Sequence, residues 1–186
     1  MSRVEDPGWR PAWRGGLLGI LPIIGPRQVL QATDGLVLMR QLWLSFVTVM
    51  VLIGVPVLFL WSLLGSGGID ARVVAAVLMI AGVLTQVVIP RLLPPLRGHS
   101  EDDVRHAIHR TFFIRVALAE SVALLAFMGV LLSGNAAVYA VGLVVGLIGM
   151  AEIAPTARWV DERQSELDET GSTVMVLRAL TRAGIS

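Results

Sequence analysis

The chain has 186 residues, of which 55% are hydrophobic and 16% charged, with a mean hydropathy of +0.74 and a formal net charge of +1. This composition is typical of integral membrane proteins, and the length leaves no room for an enzymatic domain of ordinary size beside several spans. The small net charge gives no field for nucleic acid, and the absence of cysteine excludes disulfides, thiolate metal sites and cysteine nucleophiles.

Residues 1–33 are predicted to form a cytoplasmic or interfacial segment. Trp9, Trp13 and the apolar residues 17–24 are interleaved with arginines, a pattern that favours insertion at the lipid headgroup layer. The alternative is an irregular arm rich in proline and glycine. The run LLGILPII contains a proline and no small-x-small cleavage pattern follows it, so we expect this segment to be retained rather than removed as a signal peptide.

Four stretches are apolar over about 20 residues, the length of helix that crosses a bilayer core. They are 42–64, 73–93, 111–132 and 136–154. The sequence therefore predicts an all-α, integral membrane four-helix bundle over residues 34–156, followed by a short cytoplasmic tail at 157–186 that contains a short amphipathic helix. Within the fourth span, Gly142 and Gly146 form a small-xxx-small step, which favours close packing against a neighbouring helix of the bundle.

The arginines predict the orientation of these spans. Most of them lie in the N-terminal flank, in the connection between spans two and three, and at the start of the tail, whereas the other two turns contain only Arg72. By the positive-inside rule, both termini and the central connection face the cytoplasm. The predicted location is the cell (inner) membrane, with N-in and C-in topology.

The central connection, HSEDDVRHAIHR, contains all three histidines of the chain. His106 and His109 share a helical face and Asp102 lies one turn before His106, so a metal site is one interpretation. The other is a helix start, with Ser100 as N-cap, Asp103 at the third helical position and an acidic first turn that complements the helix dipole. We predict the capped helix start, with no metal, cofactor or catalytic site.

The third span contains two charged residues. If hydrocarbon begins at residue 111, Arg115 lies about 6 Å deep and Glu120 about 14 Å deep, near the bilayer centre. Arg115 can extend to the headgroups or pair with Glu152 of span four. Glu120 cannot extend that far, so it needs a partner, a water-filled cavity or a proton. Its candidate partners are Gln86, Thr85, Thr48, Ser45, Arg40 and Arg91.

The stretch FFIRVALAESVALLAFMGVLL resembles the second helix of the proteolipid (c) subunits of rotary ATPases. This resemblance implies that Glu120 is a proton-carrying carboxylate. It covers about twenty residues, Arg115 has no place in that pattern, and the preceding span lacks the dense glycine ladder of those subunits. The chain is therefore not assigned to that family.

The sequence contains no phosphate-binding loop, no nucleophile elbow and no metalloprotease motif. It predicts a non-enzymatic multi-pass membrane protein, an accessory or assembly subunit of a larger membrane complex. The alternative is a small transporter or proton- or ion-conducting unit that uses Glu120. The predicted partners are the lipid bilayer and a membrane protein or a second copy of this chain, with no nucleic acid. The polar residues expected to matter inside the membrane are Glu120, Arg115, Glu152 and Gln86.

Overall fold

The computed structural model describes residues 6–13, 34–61, 63 and 68–181. These residues form α-helices, one π-helical turn and connections, with no β-strand among them. Residues 17–24, predicted to lie at the membrane interface, fall outside the described part, as do residues 64–67 and 182–186.

Residues 10–13 are helical, and further helices follow from residue 35 onward in the described chain. They are α1 (Gly35–Trp61), α2 (Ala71–Val83), α3 (Ile89–Leu92), α4 (Glu101–Ser133), α5 (Ala137–Glu152), α6 (Ala157–Glu169) and α7 (Val176–Thr181). A π-helical turn at Leu84–Val88 joins α2 to α3 without a break.

Three helical stretches are long and apolar enough to cross a membrane: Gly35–Phe59, Ala71–Leu92 and Glu101–Ser133. A fourth crossing arises only if α5 and α6, which are bent by 60° at the break between them, are taken together. The all-α prediction and a membrane location agree with this finding. The number of spans in the bundle and its N-in, C-in orientation remain predictions.

Local sequence explains where several helices begin. Asp70 caps α2 by accepting a hydrogen bond from the Arg72 N–H at 2.8 Å. At the start of α4, the Ser100 hydroxyl accepts from the Asp103 N–H at 3.1 Å, and Asp103 in turn bonds the Ser100 N–H and hydroxyl. The predicted capped start of this helix is therefore confirmed.

The chain divides into two compact units, and the division falls inside α1 and α4. Unit 1 comprises residues 1–45, 94–112 and 154–186, and unit 2 comprises residues 46–93 and 113–153. Unit 2 has an apolar cluster that draws on four helices. Its members are Val57, Leu78, Ala126, Val130, Val138 and Tyr139.

Glycines of α5 allow the close packing inside unit 2. A Cβ atom on Gly142 would collide with the Ala126 methyl group and lie 3.2 Å from the Val122 carbonyl oxygen, both on α4. One on Gly146 would lie 2.6 Å from the end of the Met50 side chain on α1. The predicted role of this small-xxx-small step, packing within the bundle, is confirmed.

Unit 1 has its own apolar interior, and the tail contributes to it. Leu167 of α6 and Val176, Ala179 and Leu180 of α7 are fully buried. The acidic stretch at 161–169 belongs to helix α6. Val176, Ala179 and Leu180 of α7 are therefore packed within the chain, whereas Leu177 is half-buried.

Candidate functional site

The π-helical turn in span two places polar groups inside unit 2. The Ile89 N–H bonds to the Leu84 carbonyl, five residues earlier, and Pro90 just beyond has no N–H to donate. The Gln86 Nε2 group donates to the carbonyl of Val145 on α5 at 2.7 Å. Turns of this kind occur frequently at functional sites, so the surroundings of Gln86 form the first candidate site.

A small pocket lies beside this turn. It has a volume of about 10 Å³, enough for roughly one water molecule. Gln86, Arg115 and Glu152 line it together, which brings three of the four predicted residues to one place. The described ion pairs include none between Arg115 and Glu152, so that pair stays a prediction.

Gly149 of α5 makes the position of Gln86 possible. A Cβ atom there would lie 2.6 Å from Cδ and 2.7 Å from Nε2 of Gln86, closer than atoms in contact can approach. The absence of a side chain at position 149 therefore lets the amide reach the Val145 carbonyl, and this bond ties the π-helical turn after α2 to α5.

Glu120 is not among the residues that line this pocket. It is half-buried, and within the described part of the chain its carboxylate makes no hydrogen bond or ion pair. Four of its candidate partners bond elsewhere: the Gln86 amide bonds Val145, the hydroxyls of Thr85 and Ser45 donate to carbonyls of their own helices, and Arg40 bonds residues of unit 1. The structure thus places Glu120 apart from the other three predicted residues.

The surroundings of Glu120 on α4 define an outward stripe. Successive residues of this stripe are three, four or seven positions apart, so they share one side of the helix. Its members are Phe113, Ala117, Glu120, Leu124 and Leu131. Phe113, Leu124 and Leu131 are exposed by 44%, 48% and 39%, whereas the opposite side of α4 is buried. Glu120 therefore lies at the edge of an exposed apolar surface.

Unit 1 contains a polar centre that sequence reasoning missed. The Arg40 side chain is 0% exposed and bonds both carboxylate oxygens of Asp6, at 2.6 and 2.8 Å. It also donates to the Gly8 carbonyl at 2.8 Å and to the Pro155 carbonyl at 2.8 Å, and its guanidinium carbon lies 5.1 Å from the centre of the Trp9 ring. Arg40 had been predicted only as a flanking charge or a partner of Glu120.

The contact with Arg40 stabilises the ionised form of Asp6. The hydrogen bond from Arg40 holds the pKa of the Asp6 carboxyl below its ordinary value of 3.8, against the opposing effect of partial burial. Trp9 also packs edge-to-face on Trp43, with ring centres 5.7 Å apart. Together these contacts fix residues 6–9 against the beginning of α1.

His106 and His109 have different surroundings. The His106 Nδ1 atom lies 2.8 Å from the Asp102 carbonyl oxygen, and the His109 Nε2 atom is buried without a hydrogen-bond partner in the described structure. Over residues 6–13, 34–61, 63 and 68–181, no group of three His, Cys, Asp or Glu side chains is placed to hold a metal ion.

No protein-family model matches the chain, and neither a curated protein nor a solved structure matches it.

Proposed function

We propose that this chain is a non-enzymatic, multi-pass protein of the cell (inner) membrane, with both termini in the cytoplasm, that acts as an accessory or assembly subunit of a larger membrane complex. One observation carries the proposal: Glu120 lies at the edge of the exposed outward stripe of α4, with no partner among the described residues.

The cost of exposing Glu120 to lipid supports a protein partner. Placing a charged carboxylate near the bilayer centre costs a free energy of a few kcal/mol, as measured by membrane insertion of helices. A neutral carboxyl group still needs a hydrogen-bond partner there. A helix of another subunit that carries a hydrogen-bond donor or a cation would supply one. The apolar members of the stripe would pack against the same helix and add contact area.

The polar pocket supports this role over a conducting one. Its volume of about 10 Å³ has room for roughly one water molecule, and Glu120 does not line it. The proton- or ion-conducting alternative needs a hydrated route to Glu120, and no feature of the described residues favours it. The experiment below would also detect a conducting role of Glu120.

Site-specific photocrosslinking in native membranes tests the proposal. A photoreactive residue replaces Leu124 in the outward stripe or, as a control, Ile148 of α5, which is exposed to a similar extent at 54%. We expect a discrete protein adduct from position 124 and none from position 148. Glu120→Leu should reduce the adduct by about threefold or more, because one interhelical hydrogen bond in a membrane is worth about 0.6 kcal/mol or more.

Two outcomes would contradict the interaction role. One is equal crosslinking at the two positions with no effect of Glu120→Leu. The other is a pH-linked transport defect in Glu120→Gln at normal protein level and with the adduct retained, because that result would identify Glu120 as a conducting carboxylate.

A further inference from the structure

Unit 1 contains a second, larger pocket. It has a volume of about 400 Å³, within the range of small-molecule sites, and it opens to the surface between the segment before α4 and the C-terminal end of α6. Its walls are formed by Arg97, Gly98, His99, Glu169, Thr170 and Ser172.

Two residues of opposite charge, Arg97 and Glu169, line the pocket. Arg97 and Glu169 are both exposed, and within the described residues neither makes an ion pair or a hydrogen bond. Two neighbouring pairs of charged residues in the same unit are engaged with each other: Arg163 pairs with Glu166, and Arg178 pairs with Glu101 at 3.0 Å. The charges of Arg97 and Glu169 are therefore available to a ligand that enters between them.

The walls of this pocket are held in place by bonds that do not use those two charges. The Ser172 hydroxyl donates to the Gly98 carbonyl at 2.9 Å, and the Leu96 N–H donates to the Glu166 carboxylate at 2.9 Å. Gly171 adopts a φ of +77°, which turns the chain back after α6 at little cost for glycine. The site is thus formed before any ligand binds, which lowers the entropy cost of binding.

The position of Arg97 in the chain brings it near a membrane surface. It follows Leu92, the last residue of an apolar stretch long enough to cross a bilayer, by five residues. Five residues of extended chain span at most about 18 Å, so Arg97 stays within reach of the headgroup layer.

We propose that this pocket binds the phosphoethanolamine headgroup of a phospholipid. The Arg97 guanidinium has the fork geometry that binds phosphate oxygens through two hydrogen bonds, and a His99 ring nitrogen supplies a further donor. The Glu169 carboxylate accepts hydrogen bonds from the primary ammonium group, and the negative end of the α6 dipole adds to this attraction. The Glu169 carboxylate would repel a purely anionic headgroup such as phosphatidylglycerol. The trimethylammonium group of phosphatidylcholine has no N–H to donate to that carboxylate.

Native mass spectrometry of the full chain in mild detergent tests this assignment. Phosphatidylethanolamine, phosphatidylcholine and phosphatidylglycerol with the same acyl chains are added separately, and the bound fraction is measured for each. We expect phosphatidylethanolamine to bind at least about threefold more tightly than either of the others, the scale of one exposed charge-assisted contact. Arg97→Gln should remove this preference, and Glu169→Gln should reduce the discrimination against phosphatidylglycerol.

Arg158→Gln is the matched control, since Arg158 is an exposed arginine of α6 that pairs with Glu162 outside the pocket. It should leave the preference unchanged. Both pocket residues are exposed, so their variants should keep the melting temperature of the parent. Equal binding of the three lipids, or a preference that survives Arg97→Gln, would overturn the proposal. Free O-phosphoethanolamine forms a further arm: binding as tight as that of the lipid would overturn the lipid source and assign the pocket to a soluble phosphoamine.

Discussion

Replacement of Arg40 by methionine is the most direct test of the polar centre in unit 1. Methionine keeps an unbranched apolar stem but removes every hydrogen bond that the guanidinium makes to Asp6, Gly8 and Pro155. It also removes the cation that lies over the Trp9 ring. The variant therefore separates the packing of the Arg40 stem from its polar contacts.

The size of the effect follows from the burial of each contact. Loss of the buried bond to the Pro155 carbonyl leaves an acceptor without a partner, which costs about 1–3 kcal/mol. The ion pair is weaker because Asp6 is 31% exposed, so water screens it to about 1 kcal/mol or less, and the contact with Trp9 adds about 0.5–1 kcal/mol. We expect Arg40→Met to lower the free energy of unfolding by about 3 kcal/mol, and Asp6→Asn by about 1 kcal/mol.

Reversible unfolding in mixed detergent micelles measures both values, and hydrogen exchange over residues 6–13 reports whether this segment has come loose. Arg158→Gln, which removes an exposed ion pair to Glu162, should change the free energy by less than about 0.5 kcal/mol. An Asp6→Asn variant as damaging as Arg40→Met would refute the assignment of most of the effect to the buried bond. An Arg40→Met variant as stable as the parent would refute the structural role altogether.

Three further predictions concern single residues. The hydrogen bond from Arg40 lowers the pKa of Asp6 below 3.8, so the ionised Asp6 carboxylate stabilises the fold above that pH, and this stabilisation is lost as the pH falls through the lowered pKa. When unfolding is measured as a function of pH, the free energy of unfolding should therefore fall less below pH 3.8 in Asp6→Asn than in the parent. Gly142→Ala should lower the melting temperature more than Gly149→Ala, because the first collides with a methyl group and a backbone carbonyl on α4 and the second with a flexible amide that can move aside; equal shifts would contradict this order. Tyr139→Phe should cost about 0.5–1.5 kcal/mol in the same micelle assay, because it removes the buried 2.5 Å bond from the Tyr139 hydroxyl to the Met50 carbonyl, and a neutral result would mean that the bond adds nothing net.

The features that the sequence predicted correctly depend on neighbours in the chain. The capped start of α4 needs only Ser100 and Asp103, three residues apart, and the close packing of α5 follows from the spacing of Gly142 and Gly146. Apolar length likewise predicts three helical stretches that are long enough to cross a membrane, at residues 35–59, 71–92 and 101–133. These features can be predicted because their geometry is set within one or two helical turns.

The features that the sequence did not predict depend on distant partners. Arg40 bonds Asp6, 34 positions away, and Pro155, 115 positions away. Nothing in the spacing of these residues indicates that they are in contact. Gln86 is one of several candidate partners that the sequence offers for Glu120, but its amide bonds the backbone carbonyl of Val145. Every residue carries such a carbonyl, so no residue type marks this partner in the sequence.

The geometry of a single helix explains why the two charges of the third span differ. Arg115 and Glu120 are five residues apart, which places them about 140° from each other around the α4 axis. Since the buried side of α4 contains Phe112, Val116 and Ala119, Arg115 reaches the polar pocket next to these residues, and Glu120 lies toward the exposed stripe. Arg115 therefore lies at the polar pocket and Glu120 at the outward stripe, where another protein can contact it.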